Sequence, residues 1–211
     1  MRRSTERSDD YGAGGELHGY EIVVVGTSWG GLAAVRAILG GLPQNFDIPI
    51  VVVQHRHRDS ASMLGRFITR YTHMPVCDVE DKMPVEPGHL YVAPPDYHTL
   101  VEHGHLALST EAPVRHSRPS IDVMLMSAAA SYAHRTVGVV LTGANSDGAL
   151  GLRRVADVGG LPVVQDPATA EMPVMPQAAI DAVPQARVFS LERIASFLAS
   201  LPSAHSAVRP R

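Results

Sequence analysis

The stretch EIVVVGTSWGGLAAVRAIL, residues 21–39, decides the fold. Its first part, Ile22 to Val25, is apolar at successive positions rather than alternate ones, which is the pattern of a strand covered by helices on both faces. A glycine-rich turn follows, and then an alanine- and leucine-rich segment with helical character. Strand, tight turn and helix serve more than one chemistry. Dinucleotide sites read G-x-G-x-x-G, because a side chain at the middle glycine would hold the pyrophosphate away from the backbone. Here Ser28 occupies that middle place. Gly26 to Gly30 satisfy G-x-S-x-G instead, a turn that lifts a serine oxygen above the sheet. From these residues alone three readings stay open: a nucleophile, a phosphate-binding loop, or a structural turn whose serine caps a helix.

Outward from this stretch the same rhythm recurs. IPIVVVQH (48–55) reads as a strand and SMLGRFITRY (62–71) as a helix. TVGVVLTG (136–143) and SDGALGLRRVADVG (146–159) repeat the pair, and LPVVQD (161–166) adds a strand. MPQAAIDA (175–182) and LERIASFLASL (191–201) close as helices. RPSIDVMLMSAAASYA (118–133) reads as a further helix with Pro119 near its first turn. About residues 76 to 118 differ, with proline breaks, short strands and an HGH turn at His103–His105 that suggests an antiparallel hairpin. The pattern predicts an α/β fold: a Rossmann-like, doubly wound, mainly parallel sheet with an antiparallel hairpin insertion.

With 211 residues, 45% of them hydrophobic, the chain has material for one substantial core. Residues 1–18 are polar and glycine-dotted and read as a disordered leader, 19–201 as the folded domain and 202–211 as a polar tail. A net charge of −3 gives no general attraction to nucleic acid or anionic membrane. One cysteine, Cys77, excludes a disulfide framework and a thiolate cluster. No apolar run suits export or membrane insertion, so a cytoplasmic location is expected. The pairs His55/His57 and His103/His105 lack an evident third ligand, and no metal is expected.

A nucleophilic Ser28 needs a base and a group to orient that base, best sought at the C-terminal ends of parallel strands. His55 ends VVVQH, and Asp147 follows VVLTGANS just ahead of a helix. Singly, His55 reads equally well as a surface histidine and Asp147 as a helix cap. Triad-type residues at three strand ends together favour catalysis. The backbone N–H of Trp29 and an amide in the TGAN loop, at Ala144, are candidates for stabilising an oxyanion.

VVGTSWGG, VVVQH, PGHLYVAPPDYH, RHSRPSIDVML, GVVLTGANSDGA and MPVMPQAAI occur in one order over about residues 20–195. In this the chain resembles the catalytic domain of bacterial chemotaxis protein-glutamate methylesterases of the CheB type. The resemblance implies a serine esterase without cofactor, acting on glutamate methyl esters of the cytoplasmic helices of methyl-accepting chemoreceptors, and in many members on receptor glutamines. It implies Ser28 as nucleophile, His55 as base and Asp147 as orienting acid. Two positions depart from the family's habit: Trp29 stands where a small residue is common, and Ala144 where many members carry methionine. The leader is too short for the receiver domain usual in the family, so control by phosphorylation in cis is not expected, and three alternatives stay open: constitutive action on receptors, control by a separate regulatory protein, or a chemosensory-like pathway outside motility. The alternative is a non-catalytic or nucleotide-binding module of Rossmann-like fold that docks on receptors. Arg115 and Arg118 read either as a greeting for an acidic receptor surface or as simply solvated, the resemblance implying a place near the active-site face, and Met172 and Met175 either line a cleft or fill core.

Overall fold

The computed structural model describes residues 19–56 and 63–205. The leader, His57 and the last residues of the tail lie outside the described residues. The first half contains β1 (Ile22–Thr27), α1 (Gly31–Gly40), β2 (Ile50–Gln54), α2 (Met63–Ile68), β3 (Val76–Asp78), β4 (Met83–Pro84), β5 (Leu90–Val92), β6 (His98–Glu102) and β7 (His105–Ser109). The second contains α3 (Ile121–Tyr132), β8 (Thr136–Val140), α4 (Ala149–Asp157), β9 (Leu161–Gln165), α5 (Val174–Ala182), β10 (Arg187–Phe189) and α6 (Leu191–Ala199).

Seven strands form one sheet in the order β10-β9-β8-β1-β2-β5-β3, and every pairing in it is parallel. From β1 the chain steps outward to β2 and on to the edge strand β3, comes back to β5 between them, and then crosses to β8 on the other side of β1. Such a reversal opens a crevice at the C-terminal strand ends. Strands β4, β7 and β6 form a separate antiparallel sheet, and its β6–β7 hairpin turns at His103–Gly104 as expected.

The successive valines of β1 find opposite faces. Ile22 and Val24 are buried with Leu125 of α3, Leu152 of α4 and Ala179 of α5. Val23 and Val25 are buried with Val35 and Ile38 of α1 and Leu198 of α6. Helix α3 comes close to β1 at Gly26, where an added Cβ would lie 2.1 Å from Ile121 Cγ2. A glycine there lets the start of α3 reach the strand end that carries Ser28.

Some elements differ from the sequence expectation. Residues 76–78 and 90–92, read as part of the antiparallel insertion, are strands β3 and β5 of the parallel sheet. Three-residue runs are too short to show a period, so neighbour pairing decides their sheet. Strand β10, a three-residue run with Arg187 and Val188 exposed, is too short to stand out in the sequence. Pro119 lies outside α3, whose N-cap is Ser120 with its Oγ accepting from Val123 N–H. Residues 202–204 are fastened to Tyr20: its N–H donates to Pro202 O at 2.8 Å, and Ala204 N–H donates to Tyr20 O at 3.0 Å.

Candidate active site

Ser28 follows β1, His55 follows β2 and Asp147 follows β8, so the three expected residues leave three adjacent strands at the same edge. The Ser28 turn is tied on both sides. Ser28 N–H donates to Thr142 O beyond β8 at 3.0 Å, and His55 N–H donates to Thr27 O at 3.0 Å. Gly30 has φ 77°, and a Cβ there would press to 2.7 Å from Glu171 Oε2, so this turn requires glycine. The cap residue of α1 is Gly30, with no side-chain cap bond. Ser28 therefore does not cap the helix, and its hydroxyl has no hydrogen-bond partner among the described residues.

His55 Nε2 lies 2.8 Å from Asp147 Oδ2, a link between the loops on either side of β1. The Asp147 carboxylate is 1% exposed and receives four donors. Oδ2 accepts from His55 and from Ile121 N–H at 2.7 Å. Oδ1 accepts from Ser120 Oγ at 2.9 Å and from Asp122 N–H at 3.0 Å. Burial alone would push this carboxyl up, but the hydrogen bonds from His55, Asp122 and Ile121 outweigh it and hold it below the ordinary value of 3.8. An ionised Asp147 fixes the proton of His55 on Nε2 and leaves Nδ1 as the lone-pair nitrogen. The helix-cap reading of Asp147 is also realised, but at the start of α3 rather than of α4, the helix that follows it.

Sequence reading missed the residues that hold these groups. Gln54 Nε2 donates to Ser28 O at 2.6 Å and to His55 O at 3.0 Å, bridging the two turns. Buried His98 accepts from Ser120 N–H on Nδ1 at 3.1 Å and directs Nε2 to Ala112 O at 3.2 Å. Thr142 Oγ1 donates to Trp29 O at 2.9 Å and accepts from Met172 N–H at 2.9 Å. Gln54 stood in view beside His55; a polar residue closing an apolar strand was the available signal.

Two depressions flank the centre. One, of about 380 Å³, is lined by Ser28, Leu32, Arg36, Gln54, Phe67 and Glu171 among others. The other, of about 550 Å³, is lined by His55, Arg56, Asp96, His116 and Arg118 among others. Trp29 stands exposed at the rim, its indole N–H donating to Glu171 Oε1 at 2.9 Å. Neither Trp29 N–H nor Ala144 N–H has an acceptor among the described residues, which leaves both available to an oxyanion. Arg118 is braced by Asp96 and by the carbonyls of Thr110 and Glu111. Met175 is fully buried and packs beneath Gly143, whereas Met172 is half-buried. His103 lies in the hairpin turn with its ring 5.4 Å from that of Tyr132.

The chain is similar to known proteins over most of its length. Residues 23–198 match the family described as CheB methylesterase. A protein of Leptospira interrogans, provisionally named protein-glutamate methylesterase/protein-glutamine glutaminase, is 44% identical over 183 residues, 86% of this chain and 95% of its own. The protein-glutamate methylesterase FrzG of Myxococcus xanthus is 34% identical over 85% of this chain and 54% of its own. The crystal structure of the Thermotoga maritima CheB methylesterase catalytic domain is similar at a TM-score of 0.82 and 32% identity, covering 85% of this chain and 97% of that one. The chain thus spans nearly all of some relatives and about half of others.

Proposed function

The chain belongs to the CheB methylesterase family, and from that premise we propose that it hydrolyses glutamate γ-methyl esters on the helices of chemoreceptors, with Ser28, His55 and Asp147 as its triad. The observation that carries the assignment is the 2.8 Å bond between His55 Nε2 and a buried, ionised Asp147, on either side of the strand that presents the unengaged Ser28 hydroxyl. His55 Nδ1 takes the proton of Ser28 Oγ as that oxygen attacks the ester carbonyl. The N–H groups of Trp29 and Ala144 receive the charge that develops on the carbonyl oxygen. Collapse of the tetrahedral intermediate returns the proton to the departing oxygen, releases methanol and leaves a γ-glutamyl ester on Ser28. Water, deprotonated by the same imidazole, then releases the glutamate carboxylate and restores the serine.

A second reading follows the relatives whose names include protein-glutamine glutaminase. The same residues acting on a glutamine amide would release ammonia through the same acyl-enzyme. The nucleotide-binding alternative is disfavoured, since the side chain of Ser28 occupies the place where a dinucleotide loop needs glycine. Among the described residues, no helix is long and apolar enough to cross a membrane. The deciding experiment incubates the protein with receptor methylated at glutamate by labelled methyl groups. Release of labelled methanol by the wild type, and its loss in Ser28→Ala, is the expected result; equal release by both would overturn the assignment.

A further inference from the structure

Arg115 and His116 form the tip of a tight turn beside the site. Val114 N–H donates to Ser117 O at 3.1 Å and Ser117 N–H returns the bond to Val114 O at 2.8 Å, which makes a two-residue hairpin. Both tip residues are left-handed, Arg115 at φ 48° and His116 at φ 66°. Turns of this kind are ordinarily built from Asn-Gly, because a branched or long side chain is strained there. Two large basic-type side chains in such a place cost conformational energy that glycine would remove, and strained residues of this sort gather at sites of recognition.

The surroundings say what they face. Arg115 Nη1 donates to Ser146 Oγ at 2.9 Å, which pins the tip over the residue before Asp147. His116 lines the 550 Å³ depression together with His55 and Arg56. Arg56 gives Nη2 to Ala93 O, while its Nε is buried with no acceptor among the described residues. A buried donor left unpaired calls for an acceptor from elsewhere. Arg118 is paired with Asp96, whereas Arg115 hydrogen-bonds only a hydroxyl and forms no salt bridge with a described carboxylate, the buried Asp122 acting on it through space. The rim carries Arg56, Arg115 and Arg118; Asp96 pairs with Arg118, while Asp78 acts on Arg56 and buried Asp122 on Arg115 only through space, without a salt bridge.

We infer that the Arg115–His116 turn, with Arg56 behind it, is a recognition surface for acidic residues flanking the ester, so that the preferred substrate segment is an anionic helix or peptide. This inference rests on the esterase reading of the same site and names the charge class of its substrate. Carboxylates next to the scissile ester would fall on the His55 side of the cleft and meet Arg115, which no salt bridge engages.

The test compares two peptides with one glutamyl methyl ester each, flanked either by glutamates or by glutamines. The wild type is expected to show a higher kcat/KM on the acidic peptide, with the preference shrinking as salt is raised. Arg115→Asn removes the charge yet suits the left-handed backbone, so the fold is preserved or strengthened. It should lower the acidic-to-neutral ratio about three- to fivefold, Arg115→Lys should restore most of it, and Arg115→Glu should lower it about tenfold. Binding of both peptides to Ser28→Ala, followed by the fluorescence of the single tryptophan, Trp29, gives the same ratio without turnover. If neither ester is hydrolysed the esterase reading fails, and the binding ratio still decides this inference. An acidic-to-neutral ratio that is the same in wild type, Arg115→Asn and Arg115→Glu would overturn it.

Discussion

Asp147 caps the helix that contains Asp122, and Asp122 caps the helix that Asp147 precedes. Asp122 N–H, at the start of α3, donates to Asp147 Oδ1 at 3.0 Å, while Asp122 Oδ1 accepts from Gly148 N–H at 2.9 Å and Gly151 N–H at 2.8 Å at the start of α4. Each helix end thereby satisfies donors that would otherwise lack partners. The exchange ties the carboxylate bonded to His55 to the packing of α3 against α4, so the site inherits the rigidity of that contact. Two neighbouring buried carboxyls are driven apart: Asp147 is held below 3.8, whereas burial first, and then the charge of Asp147, push Asp122 above it.

Asp122 tests this exchange. Asp122→Asn keeps an Oδ1 to receive both glycine N–H groups and removes the like charge, so stability at neutral pH should match or exceed that of the wild type. Asp122→Ala orphans both donors and should cost about 2–4 kcal/mol. Because the folded-state value of Asp122 is raised, the stability linked to its protonation is complete below the unfolded value and lost as pH rises through the folded one. The advantage of Asp122→Asn over wild type should therefore grow with pH across that window in urea titrations.

Asp147→Asn should lower kcat by about 10⁴-fold, since the imidazole loses the acceptor that fixes its tautomer. The sign for stability is opposite to that of Asp122. A depressed carboxyl contributes stability above its unfolded value, and that contribution is lost as pH falls through the folded value. Denaturation curves below pH 3.8, the ordinary value, should fall more steeply with acid for wild type than for Asp147→Asn. Parallel curves would show that Asp147 carries no linked proton.

Ser28→Ala should reduce kcat on methylated receptor by about 10³-fold or more. Its melting temperature should stay close to that of wild type, because the hydroxyl has no hydrogen-bond partner among the described residues. A large thermal loss would point to a structural serine.

Gln54→Met tests the bridge between the two turns. The apolar side chain retains volume but releases the carbonyls of Ser28 and His55, which sit 2.6 and 3.0 Å from Nε2. Small misplacements of reacting groups cost up to about 10²-fold, so kcat should fall about 10- to 100-fold with KM little changed. Gln54→Glu sets a carboxylate against two carbonyl oxygens and should be worse than Met. Equal losses in kcat/KM and in thermal stability for both variants would reduce Gln54 to a packing role.

Much of this was legible in the chain. Valines at successive positions announced strands covered on both faces, and Ile22 to Val25 are buried alternately in the two layers. The serine in place of the middle glycine, the histidine at the end of VVVQH and the aspartate ahead of a helix marked the candidates from local pattern, because strand, turn and helix signals all lie within a few residues. What sequence left open was settled by contacts between distant positions. His55 and Asp147 are 92 residues apart and meet because β2 and β8 both pair with β1. Asp147 could be read locally as a cap of its own helix, but the donors it receives come from α3, which reaches it over Gly26. Strands β3, β5 and β10 are too short to carry a period, so only the neighbour with which each exchanges backbone hydrogen bonds fixes its place. A hydrophobic period records which face of one element is covered, and hydrogen-bond partners from other elements are set by sheet order, which no single stretch encodes.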